Sequence, residues 1–156
     1  MLPDLIPSAK GGRGGCIPTE ESGLASEAAG RVLRLAGKQV LIVEDETLIA
    51  MLLEDMIRDL GGSVAASASR LDRARQIVED SSIPIDLAVL DVNIGGEEVY
   101  PLASALSDRG VPFVFSTGYG NASLPELWKS RPTLQKPFTI DDVGGALAKA
   151  LAVPQA

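Results

Sequence analysis

From Lys38 onward the chain alternates short apolar runs with helix-length stretches, and no other feature of the sequence restricts the fold as much. KQVLIV, SVAASA, IDLAVL, VPFVFS and PTLQ read as five strands. A tight turn can join antiparallel strands only, so helix-length connections between successive strands imply a parallel sheet with helices on its faces. Leu87 to Leu90 is continuously apolar, as a central strand covered on both sides must be. The expected class is a doubly wound α/β domain over residues 38–153. The clearest helix follows the first strand. There Leu48, Ile49, Leu52, Leu53, Met56, Ile57 and Leu60 recur every three to four residues, and Gly61 and Gly62 end the pattern. Thr139 reads as the N-cap of the last helix, with Asp141 and Asp142 in its first turn.

The first 37 residues differ in kind. SAKGGRGGCIPTEESG carries too little apolar surface to build a core and reads as a flexible arm. Its GGRGG run lacks the Lys-Ser/Thr ending of a phosphate loop. Leu24, Ala28, Val32 and Leu35 fall at helical spacing, so a short amphipathic helix over 20–35 is expected to lead into the domain.

Composition removes several function classes. The chain carries a net charge of −7. Residues 1–37 are balanced, with Lys10, Arg13, Arg31 and Arg34 against Asp4, Glu20, Glu21 and Glu27, so the whole excess of acid lies in the folded part. That argues against nucleic acid as a partner, because affinity for phosphate backbones rests on clustered Lys and Arg. There is no histidine, which removes Ser-His and Cys-His nucleophiles and imidazole metal sites together. The single cysteine, Cys16, cannot form an internal disulfide. No signal-peptide pattern and no apolar run of roughly 18 residues occurs. A cytoplasmic protein without membrane contact is expected.

In open α/β sheets ligands bind beyond the carboxyl ends of the strands. After the first strand come Glu44 and Asp45; after the third, Asp91; after the fourth, Ser116 and Thr117; after the fifth, Lys136 and Pro137. Crowded carboxylates are unfavourable unless a cation offsets them, and Mg²⁺ is held by one or two carboxylates together with water and phosphate oxygens. The acids are therefore expected to flank a metal. Asp91, at the end of a buried strand, is placed to be the nucleophile of phosphoryl transfer. Lys136 suits a phosphate oxygen or an ion pair with Asp91, and Thr117 offers a hydroxyl donor.

These motifs, VLIVEDE, LAVLDVNIGG, FVFSTGYG and LQKPF, resemble the receiver domain of bacterial two-component response regulators over Lys38 to Val153. The resemblance implies a flavodoxin-like, five-stranded parallel sheet of order 2-1-3-4-5 with helices on both faces. It further implies that Asp91 is the phosphoacceptor and that Thr117 and Lys136 read the phosphate. Glu44, Asp45, Asp91 and the backbone carbonyl of Asn93 would hold Mg²⁺. The implied function is a phosphorylation-activated switch that accepts its phosphoryl group from a sensor histidine kinase or a histidine phosphotransfer protein. It would act through an unidentified downstream protein or as a phosphate sink, with no DNA-binding output. It would be no enzyme beyond its own phosphorylation and slow dephosphorylation. Thr-Gly-Tyr at 117–119 is similar to a single-domain subgroup with a Phe-x-Thr-Gly-Tyr signature. One departure stands out: many receivers carry an aromatic three residues before the lysine, and here that position is Thr133. Tyr119 is the nearest aromatic to take over a switching or partner role.

Two other readings compete. The chain could be the receiver segment of a hybrid histidine kinase. It could also be a phosphatase of haloacid dehalogenase type, although Asn93 stands where that chemistry needs a second Asp as general acid. The connection from Thr117 to Pro132 is expected to be the least ordered part of the domain. Gly118, Gly120, Pro125 and Pro132 leave room for at most about seven helical residues, anchored by Leu124, Leu127 and Trp128.

Overall fold

A computed structural model describes residues 34–152. The expectations for the arm and for a helix over 20–35 lie outside the described residues, except at 34–37, which form a turn. Leu35 in that turn is fully buried, and its amide donates to the Leu60 carbonyl at 3.1 Å.

The elements follow in the order β1 (Gln39–Val43), α1 (Thr47–Asp59), β2 (Ser63–Ala68), α2 (Leu71–Glu79), β3 (Leu87–Asp91), β4 (Asn93–Ile94), β5 (Glu97–Glu98), α3 (Tyr100–Asp108), β6 (Phe113–Thr117), β7 (Thr133–Gln135) and α4 (Ile140–Ala152). Five strands form one parallel sheet of order β2-β1-β3-β6-β7. With the small β4–β5 hairpin set aside, this is the 2-1-3-4-5 order, and all five expected strands are present.

Strand alternation divides the core into two layers. Leu41, Val43, Ala88, Leu90, Phe113 and Phe115 pack with Ala74, Ile77 and Val78 of α2 and with Leu102, Ala103 and Leu106 of α3. Val40, Ile42, Leu87, Val89, Val114 and Leu134 face the other way, onto Leu53 and Ile57 of α1, Leu60 just beyond its end, and Val143, Leu147 and Ala150 of α4. Burying apolar side chains on both faces is what makes β1, β3 and β6 near-continuous apolar runs.

Local signals set the helix ends. Beyond α1, Gly61 adopts φ 90°, and the Gly61 and Gly62 amides donate to the Arg58 and Ile57 carbonyls, both at 2.9 Å. This Schellman arrangement satisfies carbonyls that the helix end would otherwise leave open. At the start of α4 the Thr139 hydroxyl accepts from the Asp142 amide at 3.2 Å, while the Asp142 carboxylate accepts from the Thr139 amide at 2.9 Å. That is a reciprocal capping box.

The structure refines the reading of α1 and corrects two expectations for residues 117–132. The apolar stripe of α1 is wider than its buried face: Leu53, Ile57 and Leu60 are buried, but Leu48 is 81% and Leu52 45% exposed, as is Met51 beside them at 55%. Residues 117–132 contain no α-helix, only two single 3-10 turns, Asn121–Ser123 and Glu126–Trp128. Of their expected anchors Leu124 and Trp128 are buried, whereas Leu127 points to solvent. Trp128 instead rests on the Phe113 and Phe115 rings, each 5.8 Å away between centroids.

Candidate functional site

The site occupies the carboxyl edge of the sheet. Asp91 is the last residue of β3, is 8% exposed and pairs in register with Ser116 of β6. Glu44 follows β1 on the other side of β3 and is 2% exposed. Lys136 follows β7, held there by its amide, which donates to the Thr117 carbonyl at 2.9 Å. Its ammonium crosses the strand ends to lie 3.2 Å from Asp91 Oδ2 and 3.0 Å from Glu44 Oε1, with the exposed Glu46 carboxylate at 3.7 Å. The Glu44 contact is a close charge pair without an aligned hydrogen bond.

One ammonium thus faces two buried carboxylates. Burial, and then the neighbouring Asp91 carboxyl, push Glu44 up to about 7, against the opposing pull of the Glu46 amide and Lys136. Burial alone would pull the lysine down, but Glu44 and Asp91 outweigh it and its net shift is upward. The acid is raised chiefly by burial, whereas the lysine is raised by the two carboxylates it serves.

Asp45 is exposed and sits on the rim, where its carboxylate accepts from the Gly95 amide at 2.9 Å. Gly95 and Gly96, at φ 59° and 89°, form the two-residue turn of the β4–β5 hairpin, a backbone that non-glycine residues rarely adopt. Asn93 opens this hairpin. Its side-chain oxygen accepts from the Gly96 amide at 2.9 Å, and its own amide lies a long 3.4 Å from Asp91 Oδ1. One oxygen from each of Glu44, Asp45 and Asp91 can be found within 4.8 Å of the others. An all-oxygen donor set with one open, solvent-facing member suits a hard divalent cation that keeps several of its waters.

Thr117 ends β6 and is 4% exposed; its Oγ1 accepts from the Tyr119 amide at 3.0 Å, which leaves its own proton to donate. Tyr119 is 85% exposed. Thr133 is half-buried, and its hydroxyl donates to the Arg131 carbonyl at 3.1 Å. The fold therefore brings Glu44, Asp45, Asp91 and Lys136 together, with Thr117 on the adjacent strand end, while Tyr119 stands apart on the surface. Sequence reasoning missed the Gly95 amide as a partner of Asp45 and the contact of Glu46 with Lys136. It placed Ser116 at the strand end without giving it a role; the residue is fully buried with a hydroxyl that has no hydrogen-bond partner among the described residues. Its signal was present, a hydroxyl ending an otherwise apolar strand.

An open parallel sheet carrying two buried acids and a lysine at its carboxyl edge defines a class, and the family comparison agrees: residues 40–147 match the response regulator receiver domain, and the chain belongs to that family. It is 31% identical over 139 residues to the phyllosphere-induced regulator PhyR of Methylorubrum extorquens, covering 85% of this chain and 50% of that protein. It is 29% identical to the transcriptional regulatory protein PdtaR of Mycobacterium tuberculosis, covering 74% and 57%. The chain thus spans about half the length of the curated relatives it matches. Among solved structures it resembles SdrG from Sphingomonas melonis Fr1, with TM-score 0.67 and 48% identity over 77% of this chain and 98% of that one. The BeF3-activated conformation of SdrG from Pseudomonas melonis Fr1 matches with TM-score 0.65 and 47% identity over 75% and 98%. Among the described residues no helix is long and apolar enough to cross a membrane.

Proposed function

We propose that this chain is a phosphorylation-activated signalling switch whose receiver domain, residues 38–153, takes a phosphoryl group on Asp91 from a sensor histidine kinase or a histidine phosphotransfer protein. The observation that carries this reading is the Asp91 carboxylate, nearly buried at a strand end, with one cation 3.2 Å away and two further acids beside it. Glu44, Asp45, Asp91 and the Asn93 carbonyl hold Mg²⁺ in this reading. Bound there, the ion offsets the negative charge that phosphate brings to an acidic corner. Lys136 moves from its ion pairs to a phosphoryl oxygen, and Thr117 donates to another. The existence of a BeF3-activated conformation of SdrG supports a phosphate-driven switch, because beryllium fluoride on an oxygen ligand has the tetrahedral shape of a phosphoryl group. Leu52, exposed on α1 like Leu48 and Met51, lines an apolar cleft of about 280 Å³ together with Ile49, Lys136, Pro137 and Phe138. An apolar surface beside a buried nucleophile suits docking of the protein that delivers the phosphoryl group. The output is a contact with a downstream protein, and the chain turns over no external substrate.

Incubation with acetyl phosphate and Mg²⁺ is expected to place one acid-stable, base-labile phosphate on the chain; absence of label with either acetyl phosphate or a kinase would remove the proposal.

Mg²⁺ is expected to raise the melting temperature, since it binds the native carboxylates and not the unfolded chain. At tenfold excess over its dissociation constant the gain is about 1.4 kcal/mol. The effect carries a pH signature. Because Glu44 titrates at about 7 in the fold and near 4.5 unfolded, metal-free stability is highest below pH 4.5 as far as this group is concerned and falls as pH rises through 7. Mg²⁺ displaces the proton from this group, so its stabilising effect should grow from pH 5.5 to pH 8. Asp45→Ala should lose most of it. An equal, pH-independent shift in both proteins would place the metal elsewhere.

The segment after Thr117 is held by short-range bonds such as Leu124 to Asn121 and Trp128 to Pro125. Its amides should therefore exchange quickly in the unmodified protein and slow when beryllium fluoride occupies Asp91, the order-disorder mode of switching. Strong protection of residues 118–131 beforehand would move the switch to another element.

A further inference from the structure

Among the described residues two buried side-chain polar atoms lack a hydrogen-bond partner, Glu44 Oε1 and Ser116 Oγ. The first is offset by the Lys136 ammonium at 3.0 Å. The second has no such compensation, although Ser116 is completely shielded from solvent. Buried hydroxyls are nearly always paired, so one left open beside a reactive group calls for a physical reason.

The strand register says where this hydroxyl lies. Phe113 and Phe115 pack into the layer under α2 and α3, and Val114 into the layer under α1 and α4. Alternation therefore puts Ser116 on the α1–α4 side. Asp91 follows Val89, and Glu44 follows Ile42, both members of that same layer. Asp91 and Ser116 are direct partners in the parallel ladder, on strands about 4.8 Å apart. On its other side Ser116 faces the apolar Leu134. Asp91 is thus its lateral polar neighbour, and Lys136 lies two residues beyond Leu134 on the same side. Lys136 and, weakly, the Asn93 amide occupy Asp91, but a carboxylate with two oxygens has acceptor capacity to spare.

Resting on the proposed phosphorylation of Asp91, we infer that Ser116 is a further catalytic residue, whose hydroxyl donates to the carboxyl oxygens of Asp91 once Lys136 has turned to the phosphoryl group. In hydrolysis of the acyl phosphate, water attacks phosphorus, the bond between phosphorus and the Asp91 oxygen breaks, and its electron pair returns to the carboxylate. One proton of the water stays on the oxygen that joins phosphorus and the other passes to a second phosphoryl oxygen, so both leave with the inorganic phosphate. Negative charge grows on the Asp91 oxygens as that bond breaks, and a donor already buried beside them stabilises it without drawing in solvent. The hydroxyl of Ser116 therefore shortens the life of the phosphorylated state.

The test uses the full chain labelled with acetyl phosphate and Mg²⁺, then freed of donor, with loss of label followed over time. Ser116→Ala should be labelled, should melt no lower than the parent because it removes an unpaired buried hydroxyl, and should hold its phosphate roughly three- to tenfold longer, a smaller effect than losing a dedicated oxyanion donor. Ser116→Thr and Ser116→Val, equal in shape and different in the hydroxyl, separate chemistry from packing: the Thr variant should keep the parent lifetime and the Val variant should match Ala. A parent lifetime in Ser116→Ala, or equal lifetimes in the Thr and Val variants, overturns the inference while leaving Asp91 as acceptor. A parent chain that takes no label at all overturns the proposed function, and this inference with it.

Discussion

Asp91→Asn should take no label from acetyl phosphate or from a kinase, and the metal-free protein should become more stable. The amide keeps the volume of the carboxyl, so the packing at the end of β3 persists, but its nitrogen and oxygen are far weaker nucleophiles than a carboxylate. The stability gain comes from Glu44. With Asp91 neutral, the Lys136 ammonium at 3.0 Å has one buried carboxylate to offset in place of two. The part of the upward shift of Glu44 that Asp91 causes disappears, while the larger part due to burial remains. Relief of that part of the shift should show near pH 8, where Glu44 must otherwise ionise beside a second carboxylate, as a higher melting temperature. Calorimetry and labelling on the same preparation check both halves. Undiminished label on the variant would move the acceptor to another residue, and a lower melting temperature would mean that the Asp91 carboxylate contributes more through Lys136 than it costs through Glu44.

Lys136→Met should produce the largest loss of stability at the site. The substitution preserves most of the apolar stem and deletes the only cation facing Glu44 and Asp91 among the described residues. Removing one partner from a buried ion pair costs on the order of 3–5 kcal/mol when the remaining charge has no other compensation. Here the remaining acids have an escape, because a proton taken up by the pair neutralises one of them. The loss should therefore be small at pH 5 and grow toward the full range at pH 8, where taking up that proton is itself costly. Denaturant unfolding at the two pH values measures the difference, and added Mg²⁺ should recover part of it at pH 8. A loss of the same size at both pH values would mean that Lys136 acts through packing of its stem rather than through charge.

Most of the sheet could be read before any coordinate, because burial on both faces forces the strands to be apolar and parallel order forces helix-length connections between them. The site was legible for a related reason: a polar residue at the carboxyl end of such a strand has nothing to do in the core. The β4–β5 hairpin was not anticipated, since strands of two residues have no periodicity, although Gly95–Gly96 carried the turn signal. The 3-10 turns after Thr117 were half visible. Pro125 and Pro132 ruled out a long helix, but nothing in the pattern said that Trp128 would turn inward while Leu127 stayed in solvent. Leu48 and Leu52 mark the limit of periodicity as a guide, because a helical stripe shows which residues share a face and leaves open what covers it. Ser116 was noted only as part of a strand end, since one hydroxyl next to Thr117 carries no distinguishing spacing.

Trp128 is the only tryptophan in the chain, and it sits among the rings of Phe113 and Phe115 on the strand that ends at Thr117. The Arg131 guanidinium lies over the same cluster, 5.5 Å from the indole and 4.8 Å from the Phe113 ring. The protein therefore carries its own optical probe. A rearrangement of the link between β6 and β7 that shifts Trp128 changes the cation near the indole and its shielding from water, so intrinsic emission follows the state of this segment in real time, with no dye attached.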